Sequence, residues 1–167
     1  MPTVSGLAKR VSATFARPAD IIAYSVGDLV ANSTSAAAVV PLALPCQFKS
    51  DGGFSIATRF KLAKSNNSIT LAQFRVHLFT APPTLANGDN GAILASGVSS
   101  YLGYADITMD QVLSDGAAGF TGTTQGLITL PSGDAGGNVY ALIEARAAYA
   151  PVSAESFTLT TAVQGAW

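Results

Sequence analysis

The chain has 167 residues, enough for one domain with its own hydrophobic core. Apolar residues make up 49% of the sequence and charged residues only 11%, whereas soluble domains average about 25% charged residues. The net charge of -1 gives no support for a nucleic-acid partner. A surface with so few charges favours tight association with other protein, and the alternative is a plain domain coated with Ser and Thr.

Residues 1–22 are predicted to form an extended arm ahead of a single domain that spans residues 23–167. Arg17-Pro-Ala-Asp20 separates two apolar stretches of this arm, and Pro18 disfavours helix at the residue before it. The N-terminal residues lack the order of a signal peptide, so we expect synthesis and folding in a cytosol. No stretch reaches 18 uninterrupted apolar residues, so no membrane span is predicted.

Alternation of apolar and polar residues predicts about eight strands. The clearest is Gly53–Lys64, where one face is predicted to carry Phe54, Ile56, Thr58, Phe60 and Leu62. Further strands are predicted at 37–44, 69–79, 101–109, 126–130, 139–147 and 156–164. Residues 114–126 are rich in glycine and are predicted to form a loop. Short strands separated by turns, without a useful amphipathic helix, indicate an antiparallel β-sandwich of jelly-roll type.

Catalytic and metal-binding residues are not predicted. One His and one Cys cannot supply the four ligands of a structural zinc site, and no nucleophile elbow accompanies His77. We expect His77 to be half-buried or to lie in an interface, and Cys46 to be a buried, inert thiol. The loop Asn87–Gly91 lacks the spacing of a calcium loop and is predicted to be a turn. No cofactor is predicted, and nothing in the sequence supports an enzyme.

Six residues are candidates for protein interfaces: Val11, Phe15, Arg17, Glu144, Arg146 and Trp167. The first three would dock the arm on a neighbour. Glu144 and Arg146 share one face of a strand, and they form either a solvated ion pair or a pair across a subunit boundary. Trp167 caps the core, inserts into a neighbour or is an idle end, and Trp is frequent at interfaces.

Charges are unevenly placed along the chain. Eight of the nine basic residues precede residue 80, and they are Lys9, Arg10, Arg17, Lys49, Arg59, Lys61, Lys64 and Arg75. The second half carries most of the carboxylates, namely Asp89, Asp106, Asp110, Asp115, Asp134, Glu144 and Glu155. Folding either mixes these charges or leaves a basic and an acidic region. In the second case copies could meet head to tail, or the chain could dock on a charged partner.

Several strings have the order and spacing found in one group of viral proteins. They are Phe15-Ala-Arg-Pro-Ala-Asp20, Phe74-Arg-Val-His-Leu-Phe79, Asn87-Gly-Asp-Asn-Gly91, Tyr101-Leu-Gly103 and Ala141-Leu-Ile-Glu-Ala-Arg146. Over about residues 12–165 the chain resembles small virion proteins of tailed bacteriophages, the capsid decoration or cement proteins. The resemblance implies a jelly-roll β-sandwich that is made in the host cytoplasm. It also implies a homodimer or homotrimer that binds the major capsid protein on the outer surface of the head.

A second hypothesis is a receptor- or glycan-binding head domain of a phage fibre or adhesin. Such domains share the sandwich fold and place aromatic side chains in exposed loops. The predicted glycine-rich loop carries only one aromatic residue between Asp115 and Gln125, Phe120, which argues against this hypothesis.

Overall fold

The computed structural model of the chain describes residues 8–46, 54–94, 96–121, 128–130 and 137–166. The strands are β1 (Ala8–Ala16), β2 (Leu29–Val30), β3 (Leu42–Pro45), β4 (Phe54–Lys64), β5 (Gln73–Phe79), β6 (Tyr101–Leu113), β7 (Gly116–Phe120), β8 (Ile128–Leu130), β9 (Asn138–Ala145) and β10 (Ser156–Ala166). Two short 3-10 turns, Ala36–Ala38 and Val98–Ser100, interrupt the loops. These ranges contain no α-helix, and none of their helical segments is long and apolar enough to cross a membrane. The all-β prediction is confirmed.

All the strands belong to one antiparallel sheet with the order β1-β10-β4-β7-β6-β5-β9-β2. In addition, β3 pairs with β9 and β8 pairs with β4. The sheet curls on itself, because Val11 of β1 and Leu44 of β3, from opposite ends of the sheet, belong to the same core cluster. Its two halves therefore face each other as the layers of a jelly-roll-like sandwich. This confirms the predicted fold class. The described residues form ten strands instead of about eight, because β1 lies in the stretch predicted to be an arm, β2 is too short to give an alternating pattern, and β7 lies in the predicted loop 114–126.

The first strand comes from the stretch predicted to be an arm. Residues 8–16 are extended, but they lie within the sheet and pair with β10 from Ala8–Gln164 to Ala16–Ser156. Residues 1–7 lie outside the described residues. The boundary at residue 22 therefore does not coincide with a break in the sheet.

The predicted alternation in β4 is broken at Thr58. Leu62 and Phe60 point into the core, but Ala57 is buried as well and Thr58 is exposed. The pairing with β10 shifts by one residue at this point, since Ala162 pairs with Arg59 and the next pair is Val163–Ala57. A β-bulge of this kind reverses the facing of the residues beyond it. Thr58 was therefore wrongly predicted to share a face with Phe60.

The predicted loop 114–126 is wrong for residues 116–120, which form β7 between β4 and β6. Glycine is needed here because the strands lie unusually close together. A Cβ at Gly119 would lie 2.2 Å from the carbonyl oxygen of Thr108, and one at Gly116 would lie 2.3 Å from that of Lys64. The glycines that were interpreted as turn residues therefore permit close strand packing.

Candidate interaction surface

Several loops meet at the end of the sandwich where β1 and β9 finish and β5 begins. This clamped end comprises residues 17–28, 64–72, 87–91, 111–116 and 147–155. Backbone hydrogen bonds join its segments, from Arg17 N to Glu155 O and from Tyr24 N to Tyr149 O. The hairpin segment packs against them, since a Cβ at Gly116 would lie 2.3 Å from the carbonyl oxygen of Lys64. Because these contacts connect distant parts of the chain, the loops form one surface.

Arg17 organises the first of two buried clusters at the clamped end. Its Nη2 lies 2.8 Å from Asp20 Oδ1 and 3.1 Å from Asp89 Oδ2, and the side chains of Arg17 and Asp89 are fully buried. Arg17 Nε donates to the hydroxyl of Tyr24 at 2.8 Å, and that hydroxyl donates to Asp89 Oδ1 at 2.8 Å. Burial, together with the nearby charge of Asp89, raises the pKa of Tyr24. The phenol therefore stays protonated at neutral pH and serves as the donor to Asp89.

This Arg17 cluster fixes the loop between β1 and β2. Arg17 Nη1 donates to the carbonyl of Asp20 at 2.6 Å, and Asp20 Oδ1 accepts from the backbone N–H of Ile22 at 3.0 Å. Asn90 Nδ2 donates to the carbonyl of Ile22 at 3.2 Å. Held in this way, Ile21 is 72% exposed and Ile22 is 58% exposed. The buried charges thus support a loop that presents two isoleucines to solvent.

A second buried cluster, centred on Lys64, lies beside the first. Lys64 Nζ is 3.2 Å from Glu155 Oε1, and both side chains are fully buried. The amine also donates to the hydroxyl of Tyr149 at 3.0 Å, and that hydroxyl donates to Glu155 at 2.7 Å. Burial lowers the pKa of Lys64, although Glu155 opposes the shift. The rings of Tyr24 and Tyr149 stack at 6.4 Å and connect the two clusters.

Exposed apolar side chains are concentrated at the clamped end. Thirteen large apolar side chains are exposed among the residues that the structure describes. Eight of them lie at this end, and they are Ile21, Ile22, Val26, Ile69, Leu71, Val112, Leu113 and Val152. Scattered exposed apolar residues are normal on a protein, but a cluster of them marks a surface that binds other molecules.

A second polar group lies on the outer face of β5 and β9. Glu144 Oε2 is 2.8 Å from His77 Nε2, and Glu144 Oε1 accepts from Arg146 Nη1 at 2.8 Å. His77 Nδ1 lies 3.1 Å from the hydroxyl of Tyr101. Burial alone would raise the pKa of Glu144, but the hydrogen bonds from His77 and Arg146 outweigh it and leave this pKa below its usual value. The predicted half-buried position of His77 matches its place in this group.

Replacing Glu144 with Gln is expected to make stability depend less on pH in the acid range. The pKa of Glu144 in the folded chain lies below the ordinary value of 4.5. Its contribution is therefore fully present above about pH 4.5 and is lost as the pH falls through the folded-state pKa. In urea denaturation, the free energy of unfolding of the wild type should exceed that of Glu144→Gln by more at pH 7 than at pH 3.5. Asp110→Asn, at an exposed position, is the control, and an equal advantage at both pH values would contradict this linkage.

The candidate interface residues fall into four groups. Val11 and Arg17 are buried within the chain, so contact with a neighbour would require them to rearrange. Phe15 is half-buried and its ring stacks on Phe157 at 5.7 Å. Glu144 and Arg146 pair within the chain, and their role across a subunit boundary stays a prediction. Trp167 lies outside the described residues.

Sequence reasoning missed the residues that build the clamped end. Asp89 was placed in a turn without a partner, and Lys64 and Glu155 were not connected. The sequence pointed only to Arg17, as an interface candidate, and to the second apolar stretch of the predicted arm, which begins at Ile21. Among the described residues, no three His, Cys, Asp or Glu side chains lie close enough together to hold a metal ion.

Comparison with known proteins gives no family assignment. No protein-family model matches the chain, and no curated protein matches it. Among solved structures, the chain is similar to a chain of the cyanophage Pam1 capsid asymmetric unit, with 15% identity over 99% of this chain and 89% of that chain and a TM-score of 0.37. A protein of unknown function from Shewanella oneidensis MR-1 matches with 9% identity over 99% and 90% of the two chains and a TM-score of 0.23. TM-scores this low do not establish a shared fold.

Proposed function

We propose that the chain is a virion structural protein of a tailed bacteriophage, a decoration or cement protein on the outer surface of the head. It binds the major capsid protein and stabilises the shell. The sequence resemblance supports the class of protein. The observation that carries the mechanism is the clamped end, which carries eight of the thirteen large apolar side chains that are exposed in the described residues. Six of the eight lie on its loops, beside the two buried ion clusters.

Rigid loops with aliphatic side chains suit adhesion. Binding costs less entropy when the contacting loops are already ordered, and aliphatic groups have no charge to desolvate. Burying one Ile or Leu side chain contributes about 1.5–3 kcal/mol. Many copies that bind only the intact shell would shift its equilibrium away from expanded or broken states.

The proposed role includes no chemical reaction. Both ring nitrogens of His77 are hydrogen-bonded, one to Tyr101 and the other to Glu144. Under this proposal these bonds support the outer face of the sheet, because adhesion needs no catalytic group. A measured turnover that disappears in His77→Ala would overturn this part of the proposal.

The proposal is tested with heads of the phage that encodes this chain, prepared without it. Adding the purified protein should raise the temperature of heat-induced genome release. Ile21→Asp/Ile22→Asp should bind the heads at least about a hundredfold more weakly, because two apolar contacts become charged. Val98→Asp is the matched control, since Val98 is 86% exposed but lies near the opposite end of β5.

Two results would contradict the proposal. One is that the wild-type protein neither binds the heads nor changes the release temperature. The other is that Val98→Asp weakens binding as much as the double variant does. Binding to a glycan array without binding to heads would favour the receptor- or glycan-binding hypothesis instead.

A further inference from the structure

Charged side chains are scarce in this chain, and most of those described are paired internally. The pairs are Arg17 with Asp20 and Asp89, Lys64 with Glu155, Arg75 with Asp106, and Arg146 with Glu144. Within the described ranges, Arg10, Arg59 and Lys61 have no carboxylate within ion-pair distance. Asp110 and Asp115 likewise have no cationic partner there, and neither has the half-buried Asp28, which accepts from the backbone N–H of Ser25. Apart from Asp28, these leftover charges are grouped, because the three cations share one groove and the two exposed carboxylates share one hairpin.

The basic groove lies on the outer face of β1, β10 and β4. The groove encloses about 380 Å³. Its lining residues are Arg10, Ser12, Arg59, Lys61, Phe120, Thr160 and Ala162, and the small side chains among them, Ser12, Thr160 and Ala162, form its floor. Arg10 pairs in register with Ala162, and Ala162 pairs with Arg59. Two strand spacings of about 4.8 Å therefore separate Arg10 on one wall from Arg59 on the other. The guanidinium of Arg59 lies 4.1 Å from the centre of the Phe120 ring, which adds an apolar side to the groove.

The acidic hairpin tip, residues 110–115, comprises the end of β6 and the turn that leads into β7. Asp110 and Asp115 are exposed, and between them Val112 is 53% exposed and Leu113 is 59% exposed. The tip thus combines two carboxylates with two aliphatic side chains. The groove offers the complementary set, with three cations, a floor of small residues and one aromatic ring.

We propose that the acidic hairpin tip of one copy docks in the basic groove of a second copy. Asp110 and Asp115 would pair with Arg59 and Lys61, while Leu113 would cover the small residues of the floor. Because tip and groove are different surfaces, the contact is head to tail, and repeating it closes a ring where the rotation allows. The inference does not rest on the capsid role, since it concerns the free protein. It leaves the other six exposed apolar residues of the clamped end for the shell.

The test is the association of the full chain in solution, measured by sedimentation equilibrium over a range of protein and NaCl concentrations. The wild type should form oligomers that weaken as salt screens the charges. Arg59→Glu/Lys61→Glu and Asp110→Lys/Asp115→Lys should each self-associate at least about a hundredfold more weakly, because like charges then face each other. Circular dichroism and thermal unfolding of each variant check that it is folded.

Charge swapping separates this contact from any other interface. An equimolar mixture of the two double variants should restore association, because a reversed groove then meets a reversed tip. The quadruple variant, which combines Arg59→Glu, Lys61→Glu, Asp110→Lys and Asp115→Lys, keeps the wild-type net charge and should associate with itself again. A monomeric wild type, an unchanged association of the double variants, or failure of both rescues would overturn the proposal. Binding of an acidic polysaccharide by a monomeric wild type would assign the groove to an anionic ligand instead, which also overturns it.

Discussion

Replacing Arg17 with Met is expected to lower the free energy of unfolding by about 3–5 kcal/mol, the usual loss when one partner of a buried ion pair is removed. Both side chains of the Arg17–Asp89 pair are fully buried, so the variant leaves a carboxylate inside the protein without its counter-charge. Tyr24 and the backbone N–H of Ala31 would still donate to Asp89, but neither carries a positive charge. Equilibrium denaturation in urea at pH 7 measures the loss.

Two controls show whether the buried charge is the cause. Arg10→Met makes the same substitution at an exposed position of β1, the strand that precedes Arg17, and should change stability by less than about 0.5 kcal/mol. Adding Asp89→Asn to Arg17→Met removes the stranded charge and should recover part of the loss. Equal losses in Arg17→Met and Arg10→Met would contradict the role assigned to the cluster.

The same variant tests whether the ion cluster serves the proposed function. Ile21 and Ile22 remain in the sequence of Arg17→Met, but their loop loses the bonds from Arg17 to Asp20 that fix its backbone. Binding to undecorated heads should therefore weaken even at temperatures where the variant is fully folded. Unchanged binding under those conditions would show that the isoleucines act without a rigid loop, or that they do not act at all.

Local pattern was enough to predict much of the fold. Phe74, Val76 and Leu78 alternate with polar residues, and this period of two correctly gave β5 and its buried face. The pattern failed where spacing between strands decides the structure. Gly119 was interpreted as part of a loop, because nothing in its neighbours reveals that Thr108 will lie against it.

The candidate surface was less predictable because its bonds join distant residues. Arg17 and Asp89 are 72 positions apart, and Lys64 and Glu155 are 91 positions apart. No local rule connects such pairs, and a charged residue is expected on the surface unless its partner is known. The exposure of Ile21 was equally hidden, since an isolated apolar stretch usually indicates core. By contrast, Glu144 and Arg146 are two apart in the predicted strand 139–147, so their shared face could be predicted, and the two side chains do pair.

Replacing Phe74 with Ala is expected to cost about 3–5 kcal/mol of stability, as for other large aromatic side chains in a core. Phe74 is 1% exposed and meets the rings of both Tyr149 and Phe157 edge-on, at 5.4 Å and 5.5 Å between ring centres. Phe157 is held in the sheet as part of β10, and Tyr149 is bonded to Lys64 and Glu155. Tyr149 therefore cannot move into the cavity without moving buried charges. Urea denaturation at pH 7 gives the cost.

Phe74→Leu keeps most of the apolar volume and should cost only about 1–2 kcal/mol of stability. Comparison of the Leu and Ala variants therefore separates the cost of the cavity from the cost of the lost aromatic contacts. Phe120→Ala removes an aromatic ring from the outer face and should cost less than Phe74→Ala, because that ring is only half-buried. The cavity would lie directly beneath Tyr149, whose hydroxyl connects Lys64 with Glu155. Phe74→Ala should therefore also weaken binding to undecorated heads, whereas Phe120→Ala should not. If the Ala and Leu variants at residue 74 were equally stable, the core would relax around the missing ring, and the clamped end would be less rigid than its two buried ion pairs imply.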